Sequence, residues 1–271
     1  MPGLERPSFN VPPGACDSHA HIIGPPPYAP TCSYEAVQVP ITQYLQMLDR
    51  LGLERGVLVQ PEAHGTDNRL LVRALCDYSE RLRGVAVVSP DTGAAELKAL
   101  ASAGVCGVRV GTTVSLTATE ALALRAAPHG LHLEIMARTR DMPLLQPRLE
   151  RLGIPIVIDH MACPDPERGV ADAGFQILLE LAGRGICWVK LSAAYHASTA
   201  GRPYRDTTAF ARTLIDAAPN GIVWGSDWPH LAVPGKLPDA GALLNLLLEW
   251  APDEAVRRRI LVTNPARLYG Y

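Results

Sequence analysis

The chain is predicted to fold as an α/β protein, a single-domain (β/α)8 barrel over residues 1–271, and three observations carry that expectation. Short apolar or β-branched runs alternate with amphipathic stretches, the pattern of parallel strands joined by helical crossovers. Eight such units follow one another, which favours a closed barrel over an open doubly wound sheet. The chain has 271 residues, 48% of them apolar, enough to fill one barrel with a sizeable core.

The predicted strands are residues 15–22, 56–60, 84–89, 107–110, 131–137, 154–160, 188–192 and 222–226. Between them, residues 41–52 place Tyr44, Leu45, Leu48 and Leu51 on one helical face. Similar patterns cover 70–78, 94–103, 119–127, 142–152, 175–182 and 208–217, with 240–250 and 252–269 as the last helix and a closing one. Gly52, Gly104, Gly130, Gly153 and Gly185 stop several of these helices, because glycine accepts the left-handed cap. Two longer irregular segments, 24–40 and 161–174, follow the first and sixth strands, at the end where barrel enzymes place their chemistry. No shift in composition marks a second domain.

The formal charge is −2 and neither sign is clustered, which argues against nucleic acid as a partner. No apolar run approaches the ~20 residues needed to span a bilayer, and the first fourteen residues lack the apolar stretch of a signal peptide. The expected location is the cytoplasm. Six cysteines (Cys16, Cys32, Cys76, Cys106, Cys163, Cys187) are scattered singly, so they read as reduced thiols in or near the core. The expected assembly is a monomer or homodimer.

Four polar residues stand where strands end. His19 and His21, two apart, project to one face of the first strand, so both rings can reach one point. Neutral imidazoles converging at a barrel mouth can hold a divalent ion such as zinc or manganese; a buried polar pair is the plainer reading. His160 ends the strand run Val157-Ile158-Asp159-His160, as a ligand or as a hydrogen-bonded structural histidine. Asp227 ends the eighth strand, where a carboxylate can bind metal, accept a proton from water, or both. Each alone is weak; together they converge at one barrel mouth. His64, in the loop after the second strand, is a candidate substrate contact, Lys190 a candidate interior residue and His230 a candidate outer-shell partner. Glu134 either adds a ligand or faces the helices. His129 and His132 read as structural. No P-loop and no Gly-x-Ser-x-Gly elbow occurs.

The segments DSHAH (17–21), VIDHM (157–161) and WGSDWPH (224–230) resemble the metal-dependent hydrolase branch of the amidohydrolase superfamily. Within it the likeness is to the 2-pyrone-4,6-dicarboxylate lactonases and sulfomuconolactone hydrolases, and it runs on through VLVQP (57–61), GVCGVRV (104–110), IDHMACPD (158–165) and WVKLSAAY (188–195). The resemblance implies a barrel hydrolase that opens a lactone ring. Asp227 would activate water, and His19, His21 and His160 would polarise the carbonyl directly or through an ion. Arg109 would bind an acidic group of the substrate, and Tyr34 would contact the substrate from the loop after the first strand.

Two departures from that pattern bear on the substrate. The dicarboxylate lactonases carry a second arginine shortly after the one matching Arg109, whereas residues 111–115 here read GTTVS. After the seventh strand they have a tyrosine–arginine pair, and this chain has Tyr195 and His196. A lactone with fewer or differently placed acidic groups is therefore the expected substrate. One divalent ion, or none, is the expected cofactor. A metal-dependent decarboxylase of an aromatic or muconate-type acid is the alternative reading, and a binding protein on the same fold is a third.

Overall fold

The computed structural model describes residues 4–110, 116–233 and 235–271. Eight strands lie side by side in chain order, every neighbouring pair parallel: β1 (Cys16–Ala20), β2 (Arg55–Val59), β3 (Leu82–Val87), β4 (Val105–Val110), β5 (His132–Ile135), β6 (Ile156–Ile158), β7 (Cys187–Leu191) and β8 (Ile222–Trp224). Between them run α1 (Ile41–Leu51), α2 (Arg69–Asp77), α3 (Ala94–Ser102), α4 (Leu116–Ala126), α5 (Met142–Leu152), α6 (Ala173–Gly183), the short α7 (Ala194–Ala197) and α8 (Thr208–Ala217). After β8 come α9 (Ala240–Asn245), α10 (Leu247–Trp250), α11 (Glu254–Arg258) and α12 (Asn264–Tyr269). The expected (β/α)8 barrel is the fold observed. The stretch 111–115, where a second arginine is missing, lies outside the described residues.

The helices form because each has one apolar stripe to bury. In α1, Tyr44, Met47, Leu48 and Leu51 face inward, and Gly52 closes the helix at φ 71°. Asp172, Asp239 and Asp253 cap α6, α9 and α11, each accepting a backbone N–H of the first turn. The main core lies between these helices and the outer faces of the strands. A smaller apolar cluster joins Cys16, Val57, Val59 and Val85 to Tyr269 of α12. The Tyr271 hydroxyl donates to the Gly56 carbonyl at 2.7 Å, so the C-terminus closes the N-terminal end of the barrel.

The seam between β1 and β8 is made by the end of β1 and the residues that follow β8. Asp227 N–H donates to the His19 carbonyl and His21 N–H to the Trp228 carbonyl, both at 2.8 Å. Gly225 permits the approach: a Cβ there would lie 2.6 Å from that of His19. Asp17, fully buried, laces the same seam by accepting from the Ser226 N–H (2.7 Å) and hydroxyl (2.6 Å) and from the Tyr44 hydroxyl (3.2 Å).

The strands are shorter than their apolar runs. His21, His160 and Asp227 lie beyond β1, β6 and β8, on loop backbone. The cysteines are all unpaired, but Cys76 is exposed, contrary to the core reading, because it falls on the outer side of α2. Among the described residues, no helix is long and apolar enough to cross a membrane.

Candidate active site

The four strand-end residues meet at the C-terminal mouth of the barrel. The rings of His19 and His21 lie 5.0 Å apart, and those of His19 and His160 4.8 Å apart. Asp227 Oδ1 is 3.5 Å from His19 Nε2 and 3.4 Å from His21 Nε2. All four side chains are nearly or fully buried, and His21, His160 and Asp227 line a cavity of about 750 Å³, ample for a small ring compound, with His19 behind them.

The hydrogen-bond partners show which atoms remain available. The Nδ1–H of His21 donates to the Val59 carbonyl at 2.7 Å, so its Nε2 is the atom that faces Asp227. His160 Nδ1 pairs with the Ser192 hydroxyl at 2.8 Å, leaving Nε2 for the cavity. His19 Nε2 is buried with no hydrogen-bond partner among the described residues. The Tyr195 hydroxyl donates to Asp227 Oδ2, which leaves Oδ1 for the cluster. Ring nitrogens and a carboxylate oxygen thus face one another, an arrangement that a cation among them would satisfy. Ligand atoms of His19, His160 and Asp227 all lie within 4.8 Å of one another, so the residues fit a single divalent ion.

Beneath this cluster lies a second charged layer. Lys190 is fully buried; its ammonium donates to Glu134 and stands 3.3 Å from Asp159 Oδ1 and 3.1 Å from His19 Nδ1. His19, Glu134 and Asp159 are themselves close enough to hold an ion, but the Lys190 ammonium stands among those donors. Glu134 therefore faces the barrel interior rather than the helices, as partner to a lysine. Such a layer is stable only because every charge has an opposite one beside it. Arg109 leans onto the same layer, with Nε 3.4 Å from Asp159 Oδ2, and still lines the cavity.

Electrostatics set the protonation states. Burial pushes the Asp227 carboxyl up, but the imidazoles of His160, His21 and His19 outweigh it and hold it well below the usual carboxylate range. Burial drives the His160 imidazole down to about 3, against the pull of the Asp227 charge. Burial likewise depresses His19, with Lys190 adding to the effect. Burial and the Asp227 charge keep the Tyr195 phenol protonated, with its acidity pushed far up. At neutral pH the floor is an ionised carboxylate beside the neutral rings of His19 and His160, a base with hydrogen-bonding or metal-binding partners.

Tyr34, Arg109 and His196 line the cavity with His21, His160 and Asp227. Tyr195 reaches the site by its bond to Asp227, and His230 packs its ring 5.6 Å from that of Tyr195, behind it. His64 is placed differently from the expected substrate contact. It does not line the cavity; its Nε2 accepts the Gly24 N–H at 2.9 Å and holds the loop after β1. His132 is buried 5.8 Å from the Tyr269 ring, a structural place. Sequence reasoning assigned no role to Asp17, Asp159, Ser192 or Arg138. Asp159 carried a signal, since it is a charged residue directly after the apolar run of β6.

Residues 16–271 match the amidohydrolase family. The chain is 36% identical to 4-sulfomuconolactone hydrolase of Hydrogenophaga intermedia, over 97% of this chain and 90% of the relative. It is 35% identical to 2-pyrone-4,6-dicarboxylate hydrolase of Comamonas testosteroni, over 97% of this chain and 92% of the relative. An apo crystal structure from Agrobacterium tumefaciens superposes with a TM-score of 0.89 at 30% identity, covering 98% of both chains. The chain belongs to the amidohydrolase family.

Proposed function

We propose that the protein opens the ring of a small acidic lactone of the pyrone or muconolactone kind by hydrolysis, in the breakdown of aromatic compounds. The observation that carries this reading is Asp227 Oδ1, an ionised carboxylate oxygen within 3.5 Å of His19 and His21 at the floor of the cavity. The named relatives are hydrolases of such compounds.

Asp227 takes a proton from water as the water oxygen bonds to the ring carbonyl carbon. The tetrahedral oxyanion forms beside His19 and His160; with each Nδ1 accepting, from the Lys190 ammonium and the Ser192 hydroxyl, each Nε2–H donates to it. The ring C–O bond then breaks, and the Asp227 proton passes to the leaving oxygen. A carboxyl held well below its usual range gives that proton up readily. Tyr195 fixes the carboxylate through Oδ2, and Arg109 receives an acidic group of the substrate. His19, His160 and Asp227, with His21 at their side, are the residues that would hold one zinc or manganese ion. When bound it supplies Lewis acidity toward a carbonyl or a water. The whole chain acts as one barrel domain, in the cytoplasm, as a monomer or homodimer.

Incubation with carboxylated and sulfonated muconolactones in ¹⁸O-water tests the reading. Ring-opened acid with one ¹⁸O in the new carboxylate is expected. Release of carbon dioxide from a muconate-type acid, with the lactones untouched, would transfer the site to decarboxylation.

A further inference from the structure

The loop after β1 is built as a wall of the cavity. Its neck closes where Ile23 and Val39 pair, the Ile23 N–H donating to the Val39 carbonyl at 2.9 Å and the Val39 N–H to the Ile23 carbonyl at 2.7 Å. The body between them, residues 24–38, is a surface loop whose ends meet. Its Ser33 and Tyr34 line the cavity beside Pro61 and Glu62 of the loop after β2. Among the described residues, the hydrogen bonds that tie this body to the barrel all go to one turn of 3₁₀ helix, Glu62–His64. The Ala29 N–H donates to the Ala63 carbonyl at 2.8 Å, and Ser33 gives its N–H (3.2 Å) and hydroxyl (2.7 Å) to Glu62 Oε2. The Tyr34 hydroxyl accepts the Ala63 N–H at 3.4 Å.

His64 makes the remaining tie, its Nε2 accepting the Gly24 N–H at 2.9 Å, and it differs from the others in two ways. It is partly buried where Glu62 is exposed, so water competes with it less. It also acts one residue past the neck, where the direction of the backbone decides where all the residues beyond it go. The ring is packed against the backbone it bonds: a Cβ on Gly24 would lie 3.6 Å from His64 Cε1 and 3.2 Å from Leu70 Cδ2. Burial lowers the proton affinity of the imidazole against the pull of Asp67, so the accepting lone pair is present at neutral pH.

We propose that His64 is a positioning residue: through the Gly24 N–H it fixes the direction in which the loop leaves its neck, and so sets Ser33 and Tyr34 as one wall of the cavity. This rests on the lactone reading, in which that wall faces the substrate. His64 itself touches no substrate.

The test compares the full-length enzyme with His64→Leu, which removes the acceptor, and His64→Gln, which keeps one within reach. On a muconolactone-type substrate, His64→Leu should raise KM about threefold to tenfold, the worth of one hydrogen bond, with kcat within about twofold of wild type. His64→Gln should bring KM back to within about twofold of wild type. A fall in kcat at unchanged KM, the mark of lost folded protein, would overturn the proposal, and so would equal damage in both variants.

Amide hydrogen exchange followed by NMR gives a readout without turnover. In His64→Leu the amides of Gly24, Ala29 and Ser33 should exchange about tenfold faster or more, while Ile23 and Val39 in the neck stay within about twofold. Acceleration at Gly24 alone, or one that reaches the neck equally, would overturn the role of His64. A wild-type protein that opens no lactone removes the hydrolase reading, and the exchange comparison then decides the anchoring of the loop by itself.

Discussion

Asp227 sits at φ 57°, a left-handed conformation that turns its carboxylate back over the barrel mouth toward His19 and His21. Neither Asp227 nor His160 changes protonation state as pH falls from 7 toward 5. The carboxyl is held well below its usual range, and burial keeps the imidazole neutral down to about 3. The acid limb of kcat/KM should therefore lie below about pH 5. A limb near pH 6.5, where an ordinary histidine titrates, would contradict this assignment. Stability behaves differently. The unfolded chain binds a proton at His160 once pH drops below about 6.5, and the folded chain refuses it until about 3. The stabilising contribution is thus full above 6.5 and is lost progressively as pH falls through that window. Chemical denaturation at pH 7 and pH 5 should show the weaker fold at pH 5, and a slope unchanged in His160→Gln would count against a buried neutral ring.

At the scale of elements, the loops after the strands carry most of the strain. His160, Met161, Ala162 and Cys163 follow one another at φ 54°, 56°, 56° and 40°, a left-handed turn with no glycine in it. Each such residue costs roughly 1–2 kcal/mol, which the surrounding packing must offset. The turn starts one residue after Asp159, and it brings the His160 ring beside Ser192 and His19. None of this was legible in the sequence, because residues with side chains give no sign of a positive φ. Ala232, in the loop after β8, has φ 58° and is exposed, so Ala232→Gly should raise stability by about 1 kcal/mol with no packing lost. Ala162→Gly gains the same relief but removes a methyl that is 0% exposed, so its net effect should be smaller. Thermal unfolding of the two variants gives the comparison, and a lower midpoint for Ala232→Gly would contradict it.

The molecule as a whole is a barrel whose closing seam is also its active-site floor. The backbone bonds that join the ends of β1 and β8 put Asp227 beside both histidines. Alternation and helix stops made the eight units legible, since period and glycine are local properties. The positions of His19, His21 and Asp227 were legible because strand-end residues of a parallel barrel must converge. The Lys190–Glu134–Asp159 layer was not, because pairing between β5, β6 and β7 depends on which face each strand turns inward. His64 misled for a related reason: a loop residue after β2 looks outward or inward only once the loop after β1 is in place. The central claim is that Asp227 activates the attacking water. Its most direct test is kcat of Asp227→Asn on a muconolactone-type substrate, with folding checked by circular dichroism. A loss of about a thousandfold or more in a folded variant is the predicted result, and a folded variant within tenfold of wild type would contradict it.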